Sequence, residues 1–401
     1  MPSPLNILFI CNKSPWPPAE GGPIAMNNLI EGLIDAGQNV KVLSANTNKY
    51  SVKPEKIPAD YLKKTGIELV YIDLTVKPIP AFINLFTKKS YHVERFITDD
   101  FNSKLIEILN STSFDIVQIE TLYMSPYIKT IRQNSKAKIV LRAHNIEHLI
   151  WERITESTKN PIKKAYLGHL SKTLKNYETK VLNNYDGIVP ISGKDAEFFK
   201  VISNRPVLPI SFGIKPKNIK TNQNGTVENA LFHIGSMNWI PNEEGVKWFI
   251  NEAWPLISEN LPSLKVYLAG RQMPQWLNKL ETPNVEVLGE VPDAQEFIQS
   301  KAISIAPLFS GSGIRIKIIE SMAMGKAVIS TKIGAEGIHY TDGKNILIAN
   351  TAEEFLKAIT QLYKNPAKSK EIGENASKLI FEKHNNEKIT QTLISFYREI
   401  L

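Results

Sequence analysis

The stretch Phe309-Ser-Gly311-Ser-Gly313-Ile-Arg315-Ile-Lys317-Ile-Ile-Glu320-Ser-Met-Ala-Met-Gly325-Lys-Ala-Val-Ile-Ser330 reads as strand, glycine loop, amphipathic helix, glycine stop and strand. Its loop offers bare backbone N–H groups at a helix N-terminus, where those groups and the helix dipole both favour an anion. Arg315 and Lys317 bring cations to the same end, unfavourably for the dipole, so the pattern asks for a bound polyanion such as a diphosphate. Glu320, one to two turns further on, can accept both hydroxyls of a ribose. An exposed helix with random charges is the alternative; it leaves unexplained why these three residues interrupt an otherwise apolar run.

Upstream, short apolar runs alternate with helical patterns: Ile7 to Cys11, Val40 to Ser44, Ile67 to Ile72, Ile116 to Ile119, Ile139 to Arg142, Gly187 to Ile191 and Val207 to Ile210. Such alternation predicts buried parallel strands in a doubly wound α/β sheet with right-handed crossovers. The first domain is expected over 1–212. A polar stretch with a glycine, Lys215 to Gly225, predicts a hinge within 213–228. The pattern restarts with Ala230 to Ile234 and continues through Leu264 to Ala269, Val285 to Leu288, Ala302 to Ala306, Ala327 to Ser330 and Ile346 to Ala349, giving a second α/β domain over 229–383. Helical periodicity takes over after that, and a last helix is expected within 384–401.

A chain of 401 residues is too long for one comfortable core, which agrees with two domains. The single cysteine, Cys11, excludes an internal disulfide and fits a reducing compartment. No basic leader precedes the first strand, and no apolar run nears the ~20 residues of a membrane span, so a soluble or peripheral cytoplasmic protein is expected. Residues 1–210 carry 27 Lys and Arg against 20 Asp and Glu, whereas the remainder is nearly balanced. That surplus suits an anionic membrane face or a phosphorylated acceptor, or simply a solubilising surface. Nucleic acid is not expected, because no aromatic-interleaved basic stripe or nucleic-acid module is present.

Two further clusters carry chemistry. Glu20-Gly21-Gly22-Pro23 follows the first strand and opens a helix over Ile24 to Ala36 with proline at its first position; bare amides there suit a phosphate, and a tight turn made by the two glycines is the alternative. Arg142-Ala-His144-Asn-Ile-Glu147 lies at the C-terminal end of a strand, where open α/β sheets place ligands. There His144 can donate to a sugar hydroxyl, and Asn145 or Glu147 can cap the next helix; a purely structural capping cluster is the alternative. Glu120, which ends the Ile116 to Ile119 run, is assigned with Asn145 and Glu147 to the acceptor side. No Asp-x-Asp pair and no His or Cys cluster has metal-ligand spacing, so neither metal nor cofactor is expected.

The segment from Pro307 to Gly337, with Glu320-Ser-Met-Ala, Gly325-Lys-Ala-Val-Ile-Ser330 and the closing Gly334-Ala-Glu-Gly337, resembles the donor-site motif of retaining glycosyltransferases of family 4. His233-Ile-Gly235-Ser236-Met-Asn-Trp-Ile-Pro-Asn242 and Leu268-Ala-Gly-Arg271 look like strand ends of that family's donor lobe, and Val189-Pro-Ile-Ser192 with Asp195 like the end of its acceptor lobe. The resemblance implies the GT-B fold: two Rossmann-like doubly wound lobes facing a central cleft, with the C-terminal helix packing back on the first lobe. It implies a nucleotide diphosphate sugar donor, a carbohydrate or lipid-linked acceptor and a retained anomeric configuration. By the same resemblance Gly21 and Gly22 approach the donor phosphate or acceptor, His144 contacts the transferred sugar, and Glu320 holds the ribose. Gly235, Ser236 and Arg271 join the donor side. The family's first glutamate would fall eight positions before Glu320, where this chain has Ser312. The motif thus resembles a glycine-rich variant, in which the backbone amides of Gly313 to Arg315 hold the sugar and Arg315 or Lys317 the leaving phosphate, with Gly311, Ser312 and Ile314 also on the donor side. Two other readings share the two-lobed pattern: a nucleotide-sugar epimerase and a non-catalytic ligand-binding protein.

Overall fold

The computed structural model describes residues 3–18, 21–48, 50–78, 83–216, 219, 227–311 and 314–401. The chain divides into two compact units, Met1–Phe212 with Asn386–Leu401, and Gly213–Asn385.

The first unit is built on a six-stranded sheet in the order β3-β2-β1-β4-β5-β6. Its strands are β1 (Asn6–Cys11), β2 (Asn39–Thr47), β3 (Glu68–Ile72), β4 (Ile116–Glu120), β5 (Lys138–Ala143) and β6 (Gly187–Pro190). Every pairing is parallel. Such strands are covered on both faces, which is why they read as continuous apolar runs. The two-residue side-chain period divides them between two cores. Leu8, Ile10, Val117, Ile119, Ile139 and Leu141 pack on one side, and Ile7, Phe9, Cys11, Ile116, Val140 and Val189 on the other. Leu393, Ile394, Phe396 and Tyr397 of the C-terminal helix Asn386–Ile400 belong to the second of these cores. That helix lies beside the helix Gly21–Asp35, where Asn386 Nδ2 donates to the Asn28 carbonyl at 2.9 Å. A side chain at Gly32 would come within 2.3 Å of Thr390 Oγ1, so the glycine sets the close approach.

The second unit has six parallel strands in the order β12-β11-β10-β7-β8-β9. They are β7 (Glu228–Ile234), β8 (Val266–Ala269), β9 (Val285–Gly289), β10 (Lys301–Ala306), β11 (Ala327–Ser330) and β12 (Leu347–Ile348). Leu231, Val266, Leu268, Ile303 and Ile305 enter a core on one face, and Ala230, Phe232 and Ala269 one on the other. In each sheet the strand order reverses once, between β1 and β4 and between β7 and β10, and ligand sites of open α/β sheets lie at such switch points.

Three expectations change. The run Val207 to Ile210 makes only a single bridge, from Val207 to Ile188, with Leu208 N donating to Ile188 O and Ile210 N to Pro190 O; Pro206 and Pro209 lack the N–H groups a full ladder needs. The first helix begins at Gly21 rather than Ile24, so Pro23 is its third residue, still inside the turn whose N–H groups have no helical partner. The polar stretch after residue 212 is anchored at its start. Ile214 N donates to His384 O at 2.7 Å, and Ile214 and Lys215 are both buried. The rest of the expected hinge lies largely outside the described residues.

Candidate active site

In the second unit, the switch point lies between the segment Gly235 to Trp239, which leaves β7, and the segment Pro307 to Gly311, which leaves β10. Lys317, in the first turn of the helix Ile316–Ala323, donates to Asn242 Oδ1 at 2.5 Å and to His233 Nε2 at 3.3 Å. His233 Nδ1 lies 3.0 Å from the Ile305 carbonyl, which can only accept, so Nδ1 carries the proton and Nε2 is free to accept from Lys317. Burial, then the Lys317 charge, hold His233 well below the usual histidine range, so it is neutral. Asn242 is fixed in turn, its Nδ2 donating to the Ser236 carbonyl at 2.8 Å. Burial and the neighbouring Arg315 hold the Lys317 ammonium well below its ordinary value. Among the described residues Lys317 meets only neutral acceptors, so its charge is uncompensated there.

Arg315 is the N-cap residue of that helix and is buried, its guanidinium carbon 5.2 Å from the ring centroid of the exposed Trp239. Gly311 has φ +97°, and a side chain there would meet Trp239 at 2.9 Å and Arg315 Nη2 at 3.2 Å. Gly235 similarly leaves room for Asn242 and Lys317. Glu320 sits on the same helix, half-buried, with no side-chain hydrogen bond among the described residues, and burial pushes its carboxyl up to about 7. The sequence-predicted Arg315, Lys317, Glu320, Gly311 and Gly235 are therefore brought to one end of this sheet. Ile314 is half-buried beside them. Ser236 hydrogen-bonds Asn238, and Arg271 is exposed in an ion pair with Glu290 at 2.7 Å. Ser312 and Gly313 lie outside the described residues. His233, Asn242 and Trp239 stood in the stretch read as a strand end, yet their roles as supports of Lys317 and Arg315 depend on partners more than 70 residues away.

In the first unit, the ends of β1, β4 and β5 carry the predicted residues. Gly21 and Gly22 open the helix, and a side chain at Gly22 would meet the Lys13 side chain at 2.9 Å. Lys13 lies over the Tyr50 ring at 4.5 Å and is a residue the sequence reading missed. Glu120, which ends β4, is buried and its Oε2 is 2.6 Å from His144 Nε2. The histidine expected to donate to a sugar hydroxyl thus has its Nε2 engaged, leaving Nδ1. Glu147 accepts from Tyr123 at 2.7 Å and from Asn145, and burial pushes its carboxyl up to about 7.

The expected capping role of Asn145 or Glu147 is not what forms. The N-cap of the helix Glu147–Ser157 is Ile146, without a side-chain bond. Glu178, from the helix Pro161–Val181, instead accepts from the Glu147 and His148 N–H groups at 3.1 Å each, and from His148 Nδ1. A carboxylate brought in by another helix satisfies the orphan donors more strongly than a neutral amide.

Among the described residues, no three His, Cys, Asp or Glu side chains group as metal ligands, and no helix is long and apolar enough to cross a membrane.

Residues 228–365 match the family model Glycosyl transferases group 1. Over the whole chain, the structure is similar to sucrose-phosphate synthase from Thermosynechococcus elongatus, with TM-score 0.73 and 15% identity over 98% of this chain and 99% of that one. It is also similar to the Anabaena HepE protein in complex with UDP, with TM-score 0.66 and 13% identity over 98% and 100%. A Klebsiella pneumoniae relative named as an uncharacterized 44.6 kDa protein in cps region is 23% identical over 97% of this chain and 98% of its own. The fold is GT-B.

Proposed function

We propose that this chain, a glycosyltransferase whose residues 228–365 belong to glycosyl transferases group 1, moves a sugar from a nucleoside diphosphate to a carbohydrate or lipid-linked acceptor with retained anomeric configuration. The observation that carries the reading is the half-buried Lys317 ammonium, held by neutral His233 and Asn242 beside Arg315, at the N-terminus of the helix that also bears Glu320. Cations gathered at a helix N-terminus are preorganised for a diphosphate, and a carboxylate one turn on suits ribose hydroxyls. In the step itself, the bond from the anomeric carbon to the diphosphate oxygen breaks. The acceptor oxygen bonds that carbon from the same face, and its proton passes to the departing diphosphate oxygen. No protein base is needed; Arg315, Lys317 and the helix amides stabilise charge that grows on the leaving group. Those cations take the place a divalent ion would fill, so turnover without metal is part of the proposal.

The UDP complex of the similar Anabaena protein makes uridine the first base to test. The relative named for its cps region supports a setting in surface polysaccharide or glycoconjugate synthesis. We place the protein in the cytoplasm, with its basic first unit suited to an anionic membrane face. The reading is tested by thermal-shift screening of UDP, GDP, ADP and their sugars without metal, alongside Glu320→Ala and Arg315→Ala. One diphosphate at 100 times its Kd should stabilise the native chain by about 2.7 kcal/mol, and both variants should lose most of that gain. Indifference to every nucleotide would remove the donor-site assignment.

A further inference from the structure

His144 does not stand alone. Its Nε2 is 2.6 Å from Glu120 Oε2, and Gln118 Nε2 donates to Glu120 Oε1 at 2.5 Å. The Gln118 carbonyl oxygen accepts from the Tyr397 hydroxyl, which the C-terminal helix brings from 279 positions along the chain. Gln118, Glu120 and Tyr397 are all buried, while the His144 side chain keeps 12% of its surface exposed. The buried Arg142 guanidinium, which donates to the Ile210 carbonyl, is the cation that faces Glu120.

The direction of every bond in this line is forced by the groups themselves. Glu120 must accept at both oxygens, since a reversed Gln118 amide would set its carbonyl oxygen against the carboxylate. With the amide nitrogen toward Glu120, its oxygen faces Tyr397, and the phenol donates. Burial and the Glu120 carboxylate hold the Tyr397 hydroxyl well above its ordinary range, so it keeps the proton it gives. At the other end, the second carboxylate oxygen can only accept, so His144 carries its hydrogen on Nε2. Among the described residues, nothing hydrogen-bonds its Nδ1.

We propose that Glu120 is a positioning residue that fixes His144 as the Nε2–H form, so that Nδ1 is presented to accept from a sugar hydroxyl, and that Gln118 and Tyr397 make this alignment depend on the C-terminal helix. A fixed ring removes the tautomer and rotamer freedom that would otherwise be lost when the sugar binds. The sugar contact rests on the transferase reading; the alignment of the ring does not.

The test is therefore spectroscopic and uses the full chain without ligand. Nitrogen-15 spectra of histidine-labelled protein, assigned by the signal missing from His144→Gln, should show His144 protonated at Nε2 and bare at Nδ1, with a downfield Nε2–H proton. Glu120→Gln should lose that proton signal or convert the ring to a mixture of tautomers. Tyr397→Phe, which keeps the packing of the ring, should shift the same signal upfield and leave the other histidines in place. A His144 protonated at Nδ1 in the native chain would overturn the alignment. A His144 signal indifferent to Tyr397→Phe would overturn the link to the last helix. If the alignment holds and no nucleotide binds, the failure lies with the transferase reading alone.

Discussion

Burial disfavours the charged form of both Glu320 and Lys317. Burial raises the Glu320 carboxyl to about 7, above its value of about 4.5 in an unfolded chain, so the folded state binds a proton that the unfolded state releases. Stability from this group is complete below about pH 4.5 and falls as pH rises through 7. Replacement by glutamine removes the titration. Glu320→Gln should melt with the native chain at pH 4.5 and be more stable at pH 8, by no more than about 3 kcal/mol and nearer 1–2 because water reaches part of the carboxyl. A gain equal at both pH values would mean that the carboxyl is not destabilised by burial. The same substitution should weaken diphosphate binding about tenfold, since ribose hydroxyls would lose their anionic acceptor. On the proposed reading, stability is given up at this residue in favour of binding, as preorganised sites require.

The elements that carry these residues were legible in the sequence wherever the signal was local. Apolar runs located all twelve strands of the described residues within a few residues, with only the run Val207 to Ile210 left over, and the glycine loop ahead of Arg315 and Lys317 located the helix Ile316–Ala323. What was not legible came from distant partners. Glu178 caps a helix 31 positions upstream, Asn242 holds a lysine 75 positions downstream, and Tyr397 reaches Gln118 across 279. No window of sequence contains both ends of such a pair. Tight passages between strand ends follow the same logic. Gly270, after β8, has φ +147°, and a side chain there would lie 1.8 Å from the Gly235 carbonyl oxygen. Gly289, which ends β9, has φ +69° with open space around it. Gly270→Ala should therefore cost about 3 kcal/mol and displace the Gly235 segment beside Lys317, whereas Gly289→Ala should cost only about 1–2 kcal/mol of backbone strain. Denaturant unfolding of both variants checks the ranking, and equal losses would show that the two strand ends are not held in contact.

At the scale of the whole chain, the last sixteen residues are part of a unit that begins at the other terminus. Leu393, Phe396 and Tyr397 are buried in the same core as Ile7, Phe9 and Leu33. Fully burying one large apolar side chain contributes about 1.5–3 kcal/mol, so losing three of them, with Ile394, takes a sum comparable to the roughly 5–15 kcal/mol by which a domain is stable. The second unit has its own cores and none of these contacts. A chain ending at Asn385 should accordingly lose hydrogen-exchange protection across β1, β4 and β5, by a factor of about 1,000 or more, while β7 and β10 keep theirs. The second unit should also still be stabilised by the nucleoside diphosphate that stabilises the full chain. Unchanged protection of β1 in the shortened chain would mean that the helix only covers a core complete without it, and the tie from Tyr397 through Gln118 to His144 would then have no structural weight.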